Sequence, residues 1–96
     1  MRRTVQLAAV LEAIRVAGGE AYGLEILVVT GLKSGTLYPL LARAEYEGLV
    51  TSRWEERNPT NRGPRRRHYS ITSHGGAVLS EMPSPLLRAA TAMRFA

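Results

Sequence analysis

The chain has 96 residues, no cysteine, no aspartate and a formal net charge of +5. That length predicts one small domain with a thin core, and the missing cysteines exclude disulfides, thiolate zinc sites and cysteine nucleophiles. With two histidines and with glutamate as the only acidic side chain, little is available for a metal site or a catalytic dyad. We therefore expect a cytoplasmic protein with no enzyme activity, no metal and no cofactor.

The positive charge is concentrated in one segment. Residues Arg57 to Arg67 hold five arginines and no acid, whereas the rest of the chain has eight basic and eight acidic side chains. A single basic segment on an otherwise neutral domain is typical of a protein that binds a polyanion. A solvated arginine loop without a partner is the alternative.

Helical periodicity begins near the N-terminus, where Thr4 can cap a helix that runs to about Ala17. Its buried stripe would consist of Leu7, Val10, Leu11 and Ile14. Polar and charged residues interrupt the apolar stretch, which argues against a signal peptide and a membrane span. The remaining surface is rich in alanine and valine, and this surplus indicates a second packing partner.

Two further helices follow, one from about Ala21 to Val29 and one that starts near Ser34, with Gly31 between them. The first would turn Leu24, Leu27 and Val28 inward. The second would bury Leu37, Leu40, Leu41 and Ala44 and would end at Gly48. Two helices joined by a short turn that contains glycine form a helix-turn-helix, whose second helix usually enters the DNA major groove.

The opposite side of that third helix carries small, hydroxyl and aromatic residues where a solvated side would carry glutamate and lysine. They are Gly35, Thr36, Tyr38, Pro39, Ala42, Arg43 and Tyr46. Such a side can lie close to another surface and form hydrogen bonds with it. Pro39 leaves two alternatives open: a helix that begins at Ser34 and loses one hydrogen bond, or a helix capped by Thr36. In both, the free amides of the first turn suit an anion such as phosphate.

After Gly48 the periodicity changes from about 3.6 to about 2. A strand from Val50 to Glu55, a loop rich in turn formers and a second strand from Arg65 to Ile71 predict a hairpin. By alternation, Arg67 shares the inward face with Tyr69 and Ile71, whereas Arg66 and His68 point the other way. A hairpin at this position is a wing, whose arginines would reach along the DNA backbone or into the minor groove. Trp54 would support this wing or join the core.

A fourth helix would run from Ser73 to about Met82, capped by Thr72. Its buried residues would be Ala77, Val78 and Met82. Pro83, Ser84 and Pro85 then interrupt the chain, and residues 86–96 predict a short helix that docks on its own domain or on another subunit. We thus expect a winged-helix DNA-binding domain over residues 1–82, with the wing at about 50–71, and a helical tail over residues 83–96 as a candidate dimerisation element.

Three stretches carry a resemblance to a known family: YGLEI from Tyr22, SGTLYPLLARAEYEGLV from Ser34, and GPRRRHYSITSHG from Gly63. Together they resemble the PadR-like winged-helix transcriptional regulators over most of residues 22–79. The resemblance implies a mainly α fold with a small β-hairpin, in the order α-α-α-β-β-α. It also implies a homodimer that represses transcription from palindromic operators.

The residues that match the family's DNA-contacting pattern are Tyr22, Ser34, Thr36, Tyr38, Pro39, Arg65, Arg66 and Arg67. To these we add the basic neighbours Lys33, Arg43 and Arg62 as candidate DNA contacts. Tyr38 could instead be a buried phenol, and Arg43 could instead pair with Glu47. His68 departs from the family, since an aromatic residue is more usual there.

The family usually dimerises through a long C-terminal helix with help from the first helix, and this chain stops soon after its Pro-Ser-Pro break. Either the short tail pairs with the first helix across a two-fold axis, or dimerisation is weak and depends on DNA. The candidate dimerisation residues are Leu7, Leu11, Leu86, Leu87, Ala90 and Met93. The expected partners are double-stranded DNA and a second copy of the chain, with a small-molecule effector left open and no membrane. A winged-helix module that binds protein or RNA through its basic wing is the alternative function.

Overall fold

The computed structural model describes residues 3–56, 63 and 65–82. Within them, four helices and a three-stranded antiparallel sheet form an α+β winged helix, so the predicted fold class is confirmed. The elements are α1 (Val5–Val16), β1 (Glu20–Tyr22), α2 (Gly23–Thr30), α3 (Ser34–Tyr46), β2 (Val50–Trp54), β3 (Arg67–Ile71) and α4 (Ser73–Ser80). Arg62 and the tail residues Leu86, Leu87, Ala90 and Met93 lie outside the described residues.

The sheet contains one strand that the sequence did not predict. Its order is β1-β3-β2, so β3 is central and pairs Ala21 with Tyr69 on one side and Val50 with Ile71 on the other. We expected residue 21 to begin the second helix. This expectation was wrong because three residues show no alternation of their own, and β1 exists through its pairing with a strand almost fifty residues away.

The core lies between α1, α3 and the inner face of the sheet. The α1 stripe is as predicted, with no solvent exposure at Leu7, Val10, Leu11 and Ile14. Thr4 caps this helix, since its hydroxyl accepts a hydrogen bond from the Leu7 amide at 3.1 Å. On α3, Leu37, Leu41 and Ala44 are fully buried and Leu40 is half-buried.

The burial of Leu7 and Leu11 corrects their assignment to dimerisation. Both side chains have 0% exposure inside a single chain, because the stripe faces the domain's own core and leaves no surface for a second subunit. The large apolar side chains that α1 exposes are instead Val5 and Val16, at 56% and 61%.

The predicted inward face of α2 was also wrong. Ile26 is the fully buried side chain, whereas Leu24 is 57% and Val28 is 76% exposed, and Leu27 packs only partly against the core. Periodicity could not place this helix, because apolar residues surround its whole circumference and its true start is two residues later than expected.

Gly31 makes the turn between α2 and α3 with a positive φ of 71°, and its amide donates to the Leu27 carbonyl at 2.9 Å. The left-handed conformation costs glycine little, since it has no Cβ. The two helices meet at 118°, within the range of about 90–120° that is usual for a helix-turn-helix. Among the described residues no single helix is long and apolar enough to cross a membrane, and α2 with α3 reach that length and composition only as this bent pair.

The last helix is capped as predicted, by a hydrogen bond from the Gly75 amide to the Thr72 hydroxyl at 2.9 Å. It ends at Ser80, and its buried residues are Gly75, Val78 and Leu79 with Met82 partly buried beyond its end. Ala77 is exposed, which corrects its predicted burial. The reason is a close approach at Gly75, where a Cβ would lie 2.0 Å from the Leu49 carbonyl oxygen. That contact turns the Gly75 side of the helix inward and Ala77 away.

Candidate nucleic-acid interface

The outer side of α3 is available to a partner. We define it as the exposed residues Lys33, Ser34, Thr36, Tyr38, Pro39 and Arg43. It is opposite to the core side, which consists of Leu37, Leu41 and Ala44. Hydroxyl, phenol and cationic groups therefore lie on one helix surface with no apolar cover within the described residues.

The start of α3 settles the two alternatives for Pro39. The helix begins at Ser34 with Lys33 as its N-cap, and Pro39 lies inside it. The amides of Thr36 and Leu37 both donate to the Lys33 carbonyl at 2.9 Å. Ser34 and Gly35 occupy the first turn, where amides have no preceding carbonyl within the helix. Such amides, together with the positive end of the helix dipole, suit a phosphate.

Tyr38 lies partly over the start of α2. A Cβ added at Gly23 would be 2.7 Å from the Tyr38 hydroxyl oxygen, so glycine at that position leaves room for the ring. The side chain remains 44% exposed, which excludes the alternative of a buried phenol. Gly23 was not predicted as a site residue, because its role is to leave room for the Tyr38 ring and only the three-dimensional contact shows this.

Tyr22 links the helix-turn-helix to the wing. It ends β1 and caps α2, where its amide donates to the Glu25 carboxylate at 3.1 Å; it does not lie on the second helix as we expected. The Arg66 guanidinium carbon is 4.5 Å from the centroid of its ring. A guanidinium stacked on an aromatic face keeps its in-plane N–H donors available. Tyr22 therefore supports an arginine that can still bind an anion.

Trp54 supports the other two wing arginines. The guanidinium carbons of Arg65 and Arg67 lie 5.9 Å and 5.5 Å from its ring centroid. The indole is 54% exposed, so Trp54 belongs to the wing and not to the core. Arg65 and Arg67 thus lie on one face of the hairpin and Arg66 on the other, as the alternation predicted.

Arg67 also reaches α3. Its guanidinium donates to the Ser52 hydroxyl from Nε at 3.0 Å and from Nη2 at 2.8 Å, and to Glu45 Oε2 from Nη2 at 3.3 Å. The Ser52 hydroxyl in turn donates to Glu45 Oε1 at 2.6 Å. We call these three residues the Arg67 network. Glu45 and Ser52 were not among the predicted site residues, although alternation from Val50 to Trp54 places Ser52 on the inward face.

The outer face of the sheet carries a second group of charges around His68. Its Nε2 lies 3.2 Å from Glu55 Oε2 and its Nδ1 lies 3.5 Å from Glu20 Oε1, while Arg53 donates to Glu20 Oε1 at 2.5 Å. The Arg53 hydrogen bond lowers the pKa of Glu20, and the His68 hydrogen bond lowers the pKa of Glu55. Within the described part of the chain, no group of three or more histidine and glutamate side chains could hold a metal ion.

A groove of about 820 Å³ lies between α3 and the wing. Its lining includes Tyr22, Gly23, Leu24, Tyr38, Ala42, Glu45, Trp54, Glu55, Arg65, Arg66, Arg67 and Tyr69. Glu45 is paired with Arg67 and Glu55 contacts His68, so the acidic groups of the groove already have partners. Aromatic faces and arginines remain to contact a bound molecule, and this combination favours an anionic, extended partner.

The structure brings five of the eleven predicted contact residues together. Tyr22, Tyr38, Arg65, Arg66 and Arg67 line the same groove. The residues Lys33, Ser34, Thr36, Pro39 and Arg43 are exposed on the helix that forms one of its walls.

The solved structures that resemble this chain include two PadR family transcription regulators and a winged-helix DNA-binding protein. A PadR family transcription regulator from Clostridium difficile R20291 has 26% identity and a TM-score of 0.69, with 81% of this chain and 82% of that chain covered. A PadR family transcriptional regulator from Eggerthella lenta DSM 2243 has 29% identity and a TM-score of 0.60, covering 80% and 70%. The winged-helix DNA-binding protein F93 from STIV, at 20% identity and a TM-score of 0.61, covers 84% and 86% and shows likeness of fold.

A comparison with curated proteins gave no significant match. The model of the PadR-like transcriptional regulator family, however, matches residues 10–81, which include α2, α3 and the whole wing. This match spans three quarters of the sequence and contains the core side of α3 and every residue that lines the groove described above. The chain therefore belongs to the PadR-like family of transcriptional regulators, a family of regulators and not of enzymes.

Proposed function

We propose that this protein is a sequence-specific, double-stranded DNA-binding repressor that acts as a homodimer on a pseudo-palindromic operator. One observation carries the proposal: Tyr38, from the outer side of α3, and the stacked arginines Arg65 and Arg66 line the same groove. A duplex could therefore contact both at once.

The two borders of the groove would have different tasks. The side chains of Thr36, Tyr38 and Arg43 would enter the major groove, where base edges present distinct patterns of donors and acceptors. Arg65 and Arg66 would neutralise phosphates, which supplies affinity without reading sequence. The first-turn amides of α3 would hold a further phosphate and fix the depth of the helix.

A two-fold dimer would place two such surfaces on one face of the duplex. The dimer contact would use two apolar surfaces. One is formed by the exposed side chains of Val5 and Val16 on α1, and the other is the apolar stripe that the sequence predicts for residues 86–96. The two copies of α3 would then read half-sites about 34–36 Å apart, one turn of B-DNA.

The test uses the full-length protein and the DNA immediately upstream of its own reading frame, since repressors of this type often control themselves. We expect nuclease protection of an inverted repeat, two chains per duplex in analytical ultracentrifugation, and much weaker binding to a shuffled duplex of the same length. Equal binding to the native and shuffled duplexes would contradict the proposal. Preference for double-stranded RNA of the same sequence would favour the RNA-binding alternative.

A further inference from the structure

We infer that Arg67 is a positioning residue that holds the wing at a fixed distance from α3, and that it is not one of the phosphate contacts. The inference deepens the proposed function and rests on it. It departs from the sequence expectation, which treated Arg65, Arg66 and Arg67 as equivalent DNA contacts.

The Arg67 network joins three elements. Glu45 lies in the last turn of α3, Ser52 in the middle of β2 and Arg67 at the start of β3. Three hydrogen bonds from one guanidinium and a fourth from Ser52 to Glu45 connect them, all between 2.6 and 3.3 Å. The guanidinium is thereby held in a direction that faces α3.

Two aromatic rings also lie beside this guanidinium. Its carbon lies 5.5 Å from the Trp54 centroid and 5.9 Å from the Tyr69 centroid. The Nε and Nη2 donors, which are already directed at Glu45 and Ser52, would have to be withdrawn before this edge of the Arg67 guanidinium could bind a phosphate with two parallel hydrogen bonds. That withdrawal would remove a hydrogen bond between charged groups, which costs free energy. It would also leave the carboxylate of Glu45 without its cation beside the anionic DNA backbone, where like charges repel.

Arg65 and Arg66 are held differently. Each stacks on one ring, Trp54 or Tyr22 respectively, and stacking does not consume the N–H donors. Their charges can therefore be presented to DNA while the Arg67 network maintains the width of the groove. If that width changed, the wing and α3 could no longer contact one duplex simultaneously.

The Arg67–Glu45 pair is partly exposed, with side-chain exposures of 41% and 35%. Solvent screening therefore keeps its contribution to global stability small. Its contribution to binding is larger, because a change in the angle of the wing removes several DNA contacts together. Loss of DNA affinity without loss of the fold is the signature that we expect.

A charge swap between Glu45 and Arg67 tests the inference directly. Arg67→Glu should weaken binding to the upstream duplex by about tenfold or more, the size expected when hydrogen bonds of a charged group are lost. The double variant Glu45→Arg/Arg67→Glu restores the pair in reverse and keeps the net charge of the wild type. We expect its affinity to return to within about threefold of the wild type, since an inverted ion pair can still bridge Ser52.

If Arg67 contacts phosphate, the double variant will bind as weakly as Arg67→Glu, because a carboxylate at position 67 would face the backbone. That result would overturn the inference. The swap Glu20→Arg/Arg53→Glu is the matched control, since this exposed pair spans the sheet without reaching α3. We expect it to leave affinity unchanged, and a loss equal to that of Arg67→Glu would also overturn the inference.

The salt dependence of binding supplies a second readout. Arg67→Gln should weaken binding but keep the wild-type slope of log affinity against log salt, whereas Arg66→Gln should make that slope shallower by about 0.9, the value for one phosphate contact. Thermal unfolding of each variant is the control for folding, and we expect a midpoint close to that of the wild type. If the wild type binds neither the upstream nor the shuffled duplex, the proposed function itself fails and the inference with it. If the wild type binds and the swap is not restored, only the role of Arg67 fails.

Discussion

The two sides of α3 differ in what they do for the protein. The core side, Leu37, Leu41 and Ala44, has no solvent exposure and packs into the single hydrophobic cluster of the described residues. The outer side carries Thr36 and Tyr38, which are both exposed, and Tyr38 lines the groove. One helix thus anchors the domain with one surface and offers a binding surface with the other, and substitutions should separate the two roles cleanly.

The largest expected effect is on the core side. Leu41→Ala should lower the free energy of unfolding by about 2–5 kcal/mol, because it removes a fully buried side chain and leaves a cavity. Leu24→Ala is the matched control: Leu24 is 57% exposed, and its loss should cost no more than about 0.5 kcal/mol. Denaturant titration of both variants measures the difference, and equal losses would contradict the assignment of the core.

The next effect concerns the packing that holds the end of α3 and the start of β2 against α4. Gly75→Ala should destabilise the domain by about 1–3 kcal/mol, because the new methyl group would overlap the backbone oxygen of Leu49. Gly76→Ala, one residue along the same helix, meets nothing within 4 Å and should be stabilising by about 0.4–1 kcal/mol. Thermal unfolding should shift in opposite directions for the two variants, and a shared direction would refute the close approach.

On the outer side, Thr36→Val should leave stability unchanged and weaken binding to the operator duplex by about 0.5–1.5 kcal/mol, the net value of one hydrogen bond. Thr51→Val removes an exposed hydroxyl from β2 and serves as the control. Fluorescence titration of labelled duplexes gives both affinities. Equal losses on operator and shuffled DNA would mean that Thr36 positions the protein and does not read bases.

The smallest effect is on the dependence of stability on pH. The hydrogen bond from His68 lowers the pKa of Glu55 below its ordinary value of 4.5. The stabilisation that follows is therefore present above that value and is lost as the pH falls through the lower folded-state pKa. Glu55→Gln should make the loss of stability below pH 4.5 shallower than in the wild type. Thermal midpoints across the acid range measure this, and parallel curves would rule out the linkage.

Local sequence patterns correctly predicted the features that depend only on residues close together in the sequence. The stripe of α1, the core side of α3, the caps at Thr4 and Thr72 and the opposite facing of Arg66 and Arg67 all follow from helical or strand periodicity. In contrast, β1 depends on pairing with a distant strand, and the orientation of α2 could not be derived because its sequence is apolar on all sides. The Arg67 network was equally hidden, since it needs the β2–β3 register and the docking of α3 at the same time.

The central claim is that the wing arginines and α3 contact one duplex together. The most direct measurement is the salt dependence of operator binding for Arg65→Gln/Arg66→Gln beside the wild type. We predict a slope of log affinity against log salt that is shallower by about 1.8, corresponding to two lost phosphate contacts, with an unchanged thermal midpoint. An unchanged slope would remove the wing from the interface and contradict the account.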